Sequence, residues 1–295
     1  MLSLIDILCG WIALLPFECL QLRFMQEAFL GVLLCAPLAA AAGIQVVNFR
    51  MSFFSDAIGH SAFAGVALGL LCSVSPGITM PLLALLIGLG IMFLKRRSTL
   101  SSDTVIGVLF SAVVALGLAL ASRNPGMARD MQMFLYGDIL TISILELTTM
   151  MILSAGFYVF EIFAFNRLIA LGINPQLAKT HRIHVAVYEY LHVALLSLVV
   201  IFCVKAVGVL LVTALLIVPA AAARNFTQSS GKMFWIAILI GLGSGITGLL
   251  LSAQDWAGTA AGASIVLCAC AVFVLSLFYS MFVQKRKCCG GFWIR

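Results

Sequence analysis

Asp56 and His60 stand four residues apart in Phe53-Phe54-Ser55-Asp56-Ala57-Ile58-Gly59-His60-Ser61, where most neighbours are apolar or small. On a helix that spacing puts both side chains on one face. A carboxylate oxygen beside an imidazole nitrogen suits Zn²⁺, Mn²⁺ or Fe²⁺ better than Ca²⁺ or Mg²⁺, which favour all-oxygen shells. Two ligands are too few for a tight site, and a transport path needs that weakness because the ion must leave as well as enter. A two-fold related copy would add a second Asp–His pair and complete a set of four. The same residues equally fit a structural pair bridging neighbouring helices, and the spacing alone leaves both readings open. Their place near the start of a span allows partial hydration.

Other ionisable residues within or beside apolar stretches are functional candidates by the same cost argument. Glu146 lies inside an apolar run, where it could line a pathway or hydrogen-bond a neighbouring helix. Glu189 and His192 sit one turn apart and read as an interfacial pair rather than a ligand set. Asp103 and Asp138 follow Ser or Gly and read as helix-entry or cap residues. Asp255 and Lys205 read as outer-loop residues.

The elements that must position these groups follow from composition. The chain has 295 residues, 63% hydrophobic and 9% charged, with 17 Lys+Arg and 11 Asp+Glu. Soluble domains carry about 25% charged residues, so a cytosolic enzyme, a disordered scaffold and a nucleic-acid binder are excluded. The apolar runs are continuous rather than alternating, which selects helices over a membrane β-barrel. The fold class is therefore all-α, a polytopic transmembrane bundle of about nine spans. Apolar windows fall near 26–48, 53–74, 77–94, 104–122, 139–164, 187–205, 207–223, 233–252 and 258–283. Residues 1–17 form a shorter stretch, either an interfacial helix or a tenth span, and carry no basic residue of the kind that opens a secretory signal.

Basic residues orient the bundle, because Lys and Arg are retained on the cytoplasmic side. With Arg50 inside, the same side receives Lys95-Arg96-Arg97, Arg167, Lys179, Arg182, Arg224, Lys232, Lys285-Arg286-Lys287 and Arg295. Arg123, Arg129 and Lys205 fall outside, and Arg23 is undecided. This predicts a cytoplasmic C-terminus. The chain divides into an N-terminal apolar or interfacial segment (1–25), a membrane body (26–283) and a cytoplasmic tail (284–295). Residues 165–186 form the longest connection, polar and basic, and present either a docking surface or an anchor for anionic headgroups.

Small residues recur at helical spacing in Gly65-Val66-Ala67-Leu68-Gly69 and at Gly241, Gly245 and Gly248, a pattern that permits close helix approach in lipid. Around Lys205 the chain must turn within a few residues, and Pro219 is expected to break the returning helix. Five cysteines (Cys35, Cys72, Cys203, Cys268 and Cys270) lie in apolar runs and act as small hydrophobes, whereas Cys288-Cys289 follows the basic cluster of the tail. There is no Gly-x-x-x-x-Gly-Lys-Ser/Thr loop, no His-Glu-x-x-His and no Gly-x-Ser-x-Gly, so the chain offers no catalytic constellation and no nucleotide site of its own.

Three stretches resemble a known family. Arg50-Met51-Ser52-Phe53-Phe54-Ser55-Asp56-Ala57-Ile58-Gly59-His60-Ser61-Ala62-Phe63-Ala64-Gly65-Val66-Ala67-Leu68-Gly69 resembles the signature of the ABC-3 metal-ion permeases, the membrane subunits of bacterial zinc, manganese and iron importers. The segments from Val207 to Ala221 and from Gly258 to Leu267 are similar to two further motifs, with shorter echoes at Asp103–Gly107 and Leu135–Leu140. The family often has proline before the glycine of the third motif, where this chain has Ala261-Gly262.

The resemblance implies a homodimeric permease core, cytoplasmic ATP-binding subunits that hydrolyse the ATP, and an extracytoplasmic metal-binding protein that delivers the ion. No cofactor is held permanently, and the divalent metal is cargo. It implies that 165–186 is the ATPase-coupling segment, centred on Ala170-Leu171-Gly172-Ile173, and that Asp56 and His60 are pathway ligands in the bacterial inner membrane. The runner-up is a secondary transporter or channel that needs no ATPase.

Overall fold

The computed structural model describes residues 4–14, 18–122, 139–182, 184–254 and 258–290, all helical or connecting. Eleven α-helices follow in order: α1 (Leu4–Ile12), α2 (Arg23–Asn48), α3 (Phe54–Leu71), α4 (Pro76–Arg97), α5 (Ser102–Ala121), α6 (Ile144–Ile173), α7 (Pro175–Thr180), α8 (Val185–Val207), α9 (Val209–Phe226), α10 (Ser230–Ser252) and α11 (Ala261–Gly290). Among the described residues, nine of these (α2 to α6 and α8 to α11) are long and apolar enough to cross a membrane. At nine residues α1 is too short to span a core that takes about 20. It buries Ile5, Cys9 and Ile12 and is tied to α2 through Arg23, which pairs with Asp6 and Glu27.

Local chemistry explains the helix limits. Pro76 opens α4 at a position where its missing N–H costs nothing, and Lys95, Arg96 and Arg97 close it against the negative end of the helix dipole. Ser101 caps α5 by accepting from the Thr104 amide at 3.2 Å. Ser143 and Glu146 form a reciprocal capping box at the start of α6.

α2 is the most enclosed span, with 78% of its apolar window buried, and it packs against α6, α8, α9 and α10. α3 packs between α4 and α5, and α11 covers α9 and α10 while exposing Leu267, Leu275 and Phe282 on its outer face. Glycines set several of these approaches. A methyl at Gly43 would lie 1.7 Å from the Leu216 carbonyl oxygen of α9. Gly65 and Gly69 admit Met80 and Thr79 of α4, and Thr79 donates to the Gly65 carbonyl at 2.8 Å. Gly241 and Gly245 receive Ala40, Ala36 and Val32 of α2, and Gly248 meets Ile265 of α11.

Several expectations are corrected. The fifth span does not stop near 164, because α6 runs to Ile173. Residues 165–173 are therefore helix, and the connection proper is α7 with its short flanks. Pro219 does not break α9, which continues from Val209 to Phe226 around it, as α2 does around Pro37. Lys205 is in the last turn of α8, not in a loop. The hairpin itself is as tight as expected: Gly208 alone joins α8 to α9, at φ 88° and ψ 159°, a conformation reserved for glycine. Asp138, Asp255, Arg123, Arg129 and Arg295 lie outside the described residues, and Cys9, Cys19, Cys35, Cys72, Cys203, Cys268 and Cys270 are free.

Replacing Gly43 with Ala forces α2 and α9 apart, and Tm in detergent should fall by about 5 °C or more. The control Gly156→Ala, where an added methyl meets nothing within 4 Å, should leave Tm unchanged in the same thermal-unfolding measurement.

Candidate metal-transport site

Asp56 and His60 occupy successive turns of α3 and are both partly buried. They lie deeper than a start-of-span position predicts. Phe54 reaches Gly88, near the middle of α4, and a methyl at Gly59, between the two residues, would lie 2.9 Å from Val209 in the α8–α9 hairpin. α3 thus begins well inside the bundle and carries the pair toward its far end.

The His60 ring is fixed by its own helix. Nδ1 lies 2.8 Å from the Asp56 main-chain oxygen. A carbonyl only accepts, so Nδ1 is the donor, and in the neutral ring Nε2 then carries the lone pair. Metal-binding histidines are typically held in this way, the second nitrogen donating to a carbonyl or carboxylate. Phe110 of α5 meets the ring edge-on at 5.1 Å between centroids and Phe63 at 5.7 Å, which restricts its rotation. The Asp56 carboxylate has no hydrogen bond or ion pair within 4.0 Å among the described residues. One oxygen donor and one nitrogen donor are therefore uncommitted on one helical face. No third His, Cys, Asp or Glu joins them in a cluster among the described residues.

Glu146 has local partners. Its Oε2 accepts from the Ser143 amide at 3.0 Å and its Oε1 lies 3.4 Å from Lys205 Nζ, so it stands at the first turn of α6 and ties that turn to the end of α8. Glu189 and His192 are not a pair. Glu189 takes Arg96 of α4 at 2.7 Å, whereas His192 is fully buried between Phe49 and Phe160, and neither of its ring nitrogens has a partner among the described residues. Asp103 is in the first turn of α5, two residues past the capping Ser101. Ala170, Leu171, Gly172 and Ile173 form the last turn of α6; Ile173 is exposed, and Gly172 packs against Asn48 so closely that a methyl there would lie 2.2 Å from its amide. Arg167 bonds the Tyr188 hydroxyl and braces that end of α6 against α8.

One buried polar contact has no counterpart in the sequence pattern. Glu161, 2% exposed in the middle of α6, accepts a 2.6 Å hydrogen bond from Gln45 Nε2 of α2, and its second oxygen has no partner among the described residues. Asn48 extends the chain by donating to Gln45 and to the Leu168 carbonyl. The available signal was a lone carboxylate within an apolar run, the same cost argument that selects Asp56. Its partner is 116 residues away, which no local spacing encodes.

Comparison with known proteins bears on this arrangement. The model of the ABC 3 transport family matches residues 21–280. The chain is 32% identical to the high-affinity zinc uptake system membrane protein ZnuB of Haemophilus influenzae, over 87% of this chain and 97% of that protein. It is also 32% identical to the manganese import system permease protein ScaB of Streptococcus gordonii, over 87% and 91%. Among solved structures, PsaBC from Streptococcus pneumoniae in complex with Fab superposes with a TM-score of 0.73 at 30% identity, covering 90% of this chain and 92% of that one.

Truncating Gln45 to Leu leaves the Glu161 carboxylate buried without its donor and should cost about 1–3 kcal/mol of stability. Thermal unfolding checks this, and a Gln45→Leu/Glu161→Leu double variant should recover most of the loss.

Proposed function

The chain belongs to the ABC 3 transport family, and on that footing we propose that it is the permease subunit of an ATP-driven importer of a divalent transition-metal ion: zinc, manganese or iron. The observation that carries this reading is the pair of uncommitted donors on α3, the Asp56 carboxylate and His60 Nε2, set deep in a membrane bundle. A single protomer offers two ligands, weak enough to release the ion; a second copy related by a two-fold axis brings the count to four. The zinc and manganese named in the relatives' titles are both metals that accept mixed oxygen and nitrogen donors.

In this reading the cargo arrives from an extracytoplasmic metal-binding protein and leaves toward the cytoplasm, where the tail lies. Binding and release alternate as cytoplasmic ATP-binding subunits act on the end of α6 and on α7. Ile173, 75% exposed beside Gly172, gives those subunits an apolar contact. Glu146 is a brace between α6 and α8, since both of its oxygens are engaged.

Asp56→Asn and His60→Ala should each reduce radiometal uptake into membrane vesicles by at least about tenfold, because each removes one of few donors, while the amount of assembled protein stays constant. Normal uptake by either variant sinks the ligand assignment. Ile173→Asp puts a charge on the contact and should strip the ATP-binding subunit in co-purification; retention of that subunit together with full uptake would leave the coupling role of this turn without support.

A further inference from the structure

A cavity of about 620 Å³ opens where α2 and α6 end and α9 passes into α10. Its volume falls within the range of small-molecule sites, about 300–1,000 Å³. Arg50 and Arg224 line it from opposite elements, and no acidic side chain does. Neither arginine has an ion pair among the described residues, whereas Arg23 and Arg96 both do. Arg50 follows α2 in a left-handed conformation, φ 53°, which non-glycine residues adopt rarely and which turns the chain sharply at the cavity edge. Gln228 and Ser230 supply polar groups to the same wall, Ile44 and Met233 supply an apolar one, and Gly172 and Ile173 also line it, so the cavity borders the turn proposed to meet the ATP-binding subunits. Two unneutralised guanidiniums repel a divalent cation, so this cavity is not part of a metal path.

We propose that it holds the phosphodiester headgroup of an anionic lipid, with Arg50 and Arg224 as its charge partners. Alternation of the spans brings the ends of α2, α6 and α9 and the start of α10 to one face of the bundle, the level at which headgroups lie. Basic pockets between helix ends at that level bind anionic headgroups through paired charge, and the apolar wall accommodates the first part of an acyl chain. Guanidinium forks match phosphate oxygens two at a time, which distinguishes such a site from diffuse attraction to the surface. The inference rests on the membrane-spanning reading and not on the identity of the cargo.

The test uses the full chain purified in detergent and examined by native mass spectrometry, with phosphatidylglycerol, phosphatidylcholine of the same acyl chains, and inorganic phosphate as probes. The wild type should favour phosphatidylglycerol over phosphatidylcholine by about tenfold or more. Arg50→Gln/Arg224→Gln should bring that ratio close to one. Arg224→Gln alone, which leaves the strained position 50 intact, should lower it at least about threefold. Arg97→Gln, at the same end but outside the cavity, should preserve it. Equal binding of the two lipids by the wild type overturns the proposal, as does an undiminished ratio in the double variant. Displacement of phosphatidylglycerol by equimolar inorganic phosphate would assign the cavity to a free anion instead. Loss of a co-purified ATP-binding subunit with the lipid ratio unchanged would make the arginines a protein contact and likewise overturn it. Asp56→Asn should keep the wild-type ratio, so the cargo reading and this one can fail separately.

Discussion

The main chains of α2 and α9 touch at Gly43, and the placement of α2 at that contact governs much of the rest. In lipid, apolar side chains gain little by leaving the acyl tails for one another, so helices associate through close packing and a few interhelical hydrogen bonds. Contact between backbones is the tightest form of such packing, and it is available only where a residue has no Cβ. Fixed there, α2 presents Ala36 and Ala40 to the glycines of α10 and, two residues past Gly43, Gln45 to Glu161 of α6. Asn48 and Arg50 follow on the same stretch. A buried polar contact and a basic cavity thus depend on where one helix has been placed by a missing methyl group.

Charge pairing sorts the acidic side chains of the bundle by role. Glu146 and Glu189 are each held by a cation from another helix, Lys205 and Arg96, so both act as clamps. Glu161 is held by an amide. Asp56 differs from all three. Its carboxylate has no such partner among the described residues, while its main-chain oxygen sets the tautomer of His60 one turn later. The helix therefore orients the ring of one donor residue through the main chain of the other.

Much of this was legible in the residues. Long apolar runs gave nine spans, the glycine spacings at Gly65–Gly69 and Gly241–Gly245–Gly248 marked real close approaches, and the four-residue interval put Asp56 and His60 on one face. What could not be read were the relations between distant segments. The depth of the pair depends on where α3 begins relative to α4 and the α8–α9 hairpin, a fact of packing. Hydropathy falls at Asn166 and Arg167, which suggests an earlier end to α6; the helix goes on because Arg167 finds Tyr188 and the last turn packs on Asn48. Pro219 bends expectation the other way, since a proline within a tightly packed helix can be accommodated when its neighbours hold the backbone. Glu189 and His192, adjacent on one helix, proved to face different partners for the same reason.

The single glycine between α8 and α9 has a mechanical meaning. A joint of one residue, at φ 88° and ψ 159°, leaves almost no chain between the two helices. The tip of this hairpin rests against the turn of α3 that carries Asp56 and His60. Its opposite ends are the start of α8, braced to α4 and α6 by Arg96 and Arg167, and the end of α9 at Arg224. No long loop therefore separates those ends from the turn that carries Asp56 and His60.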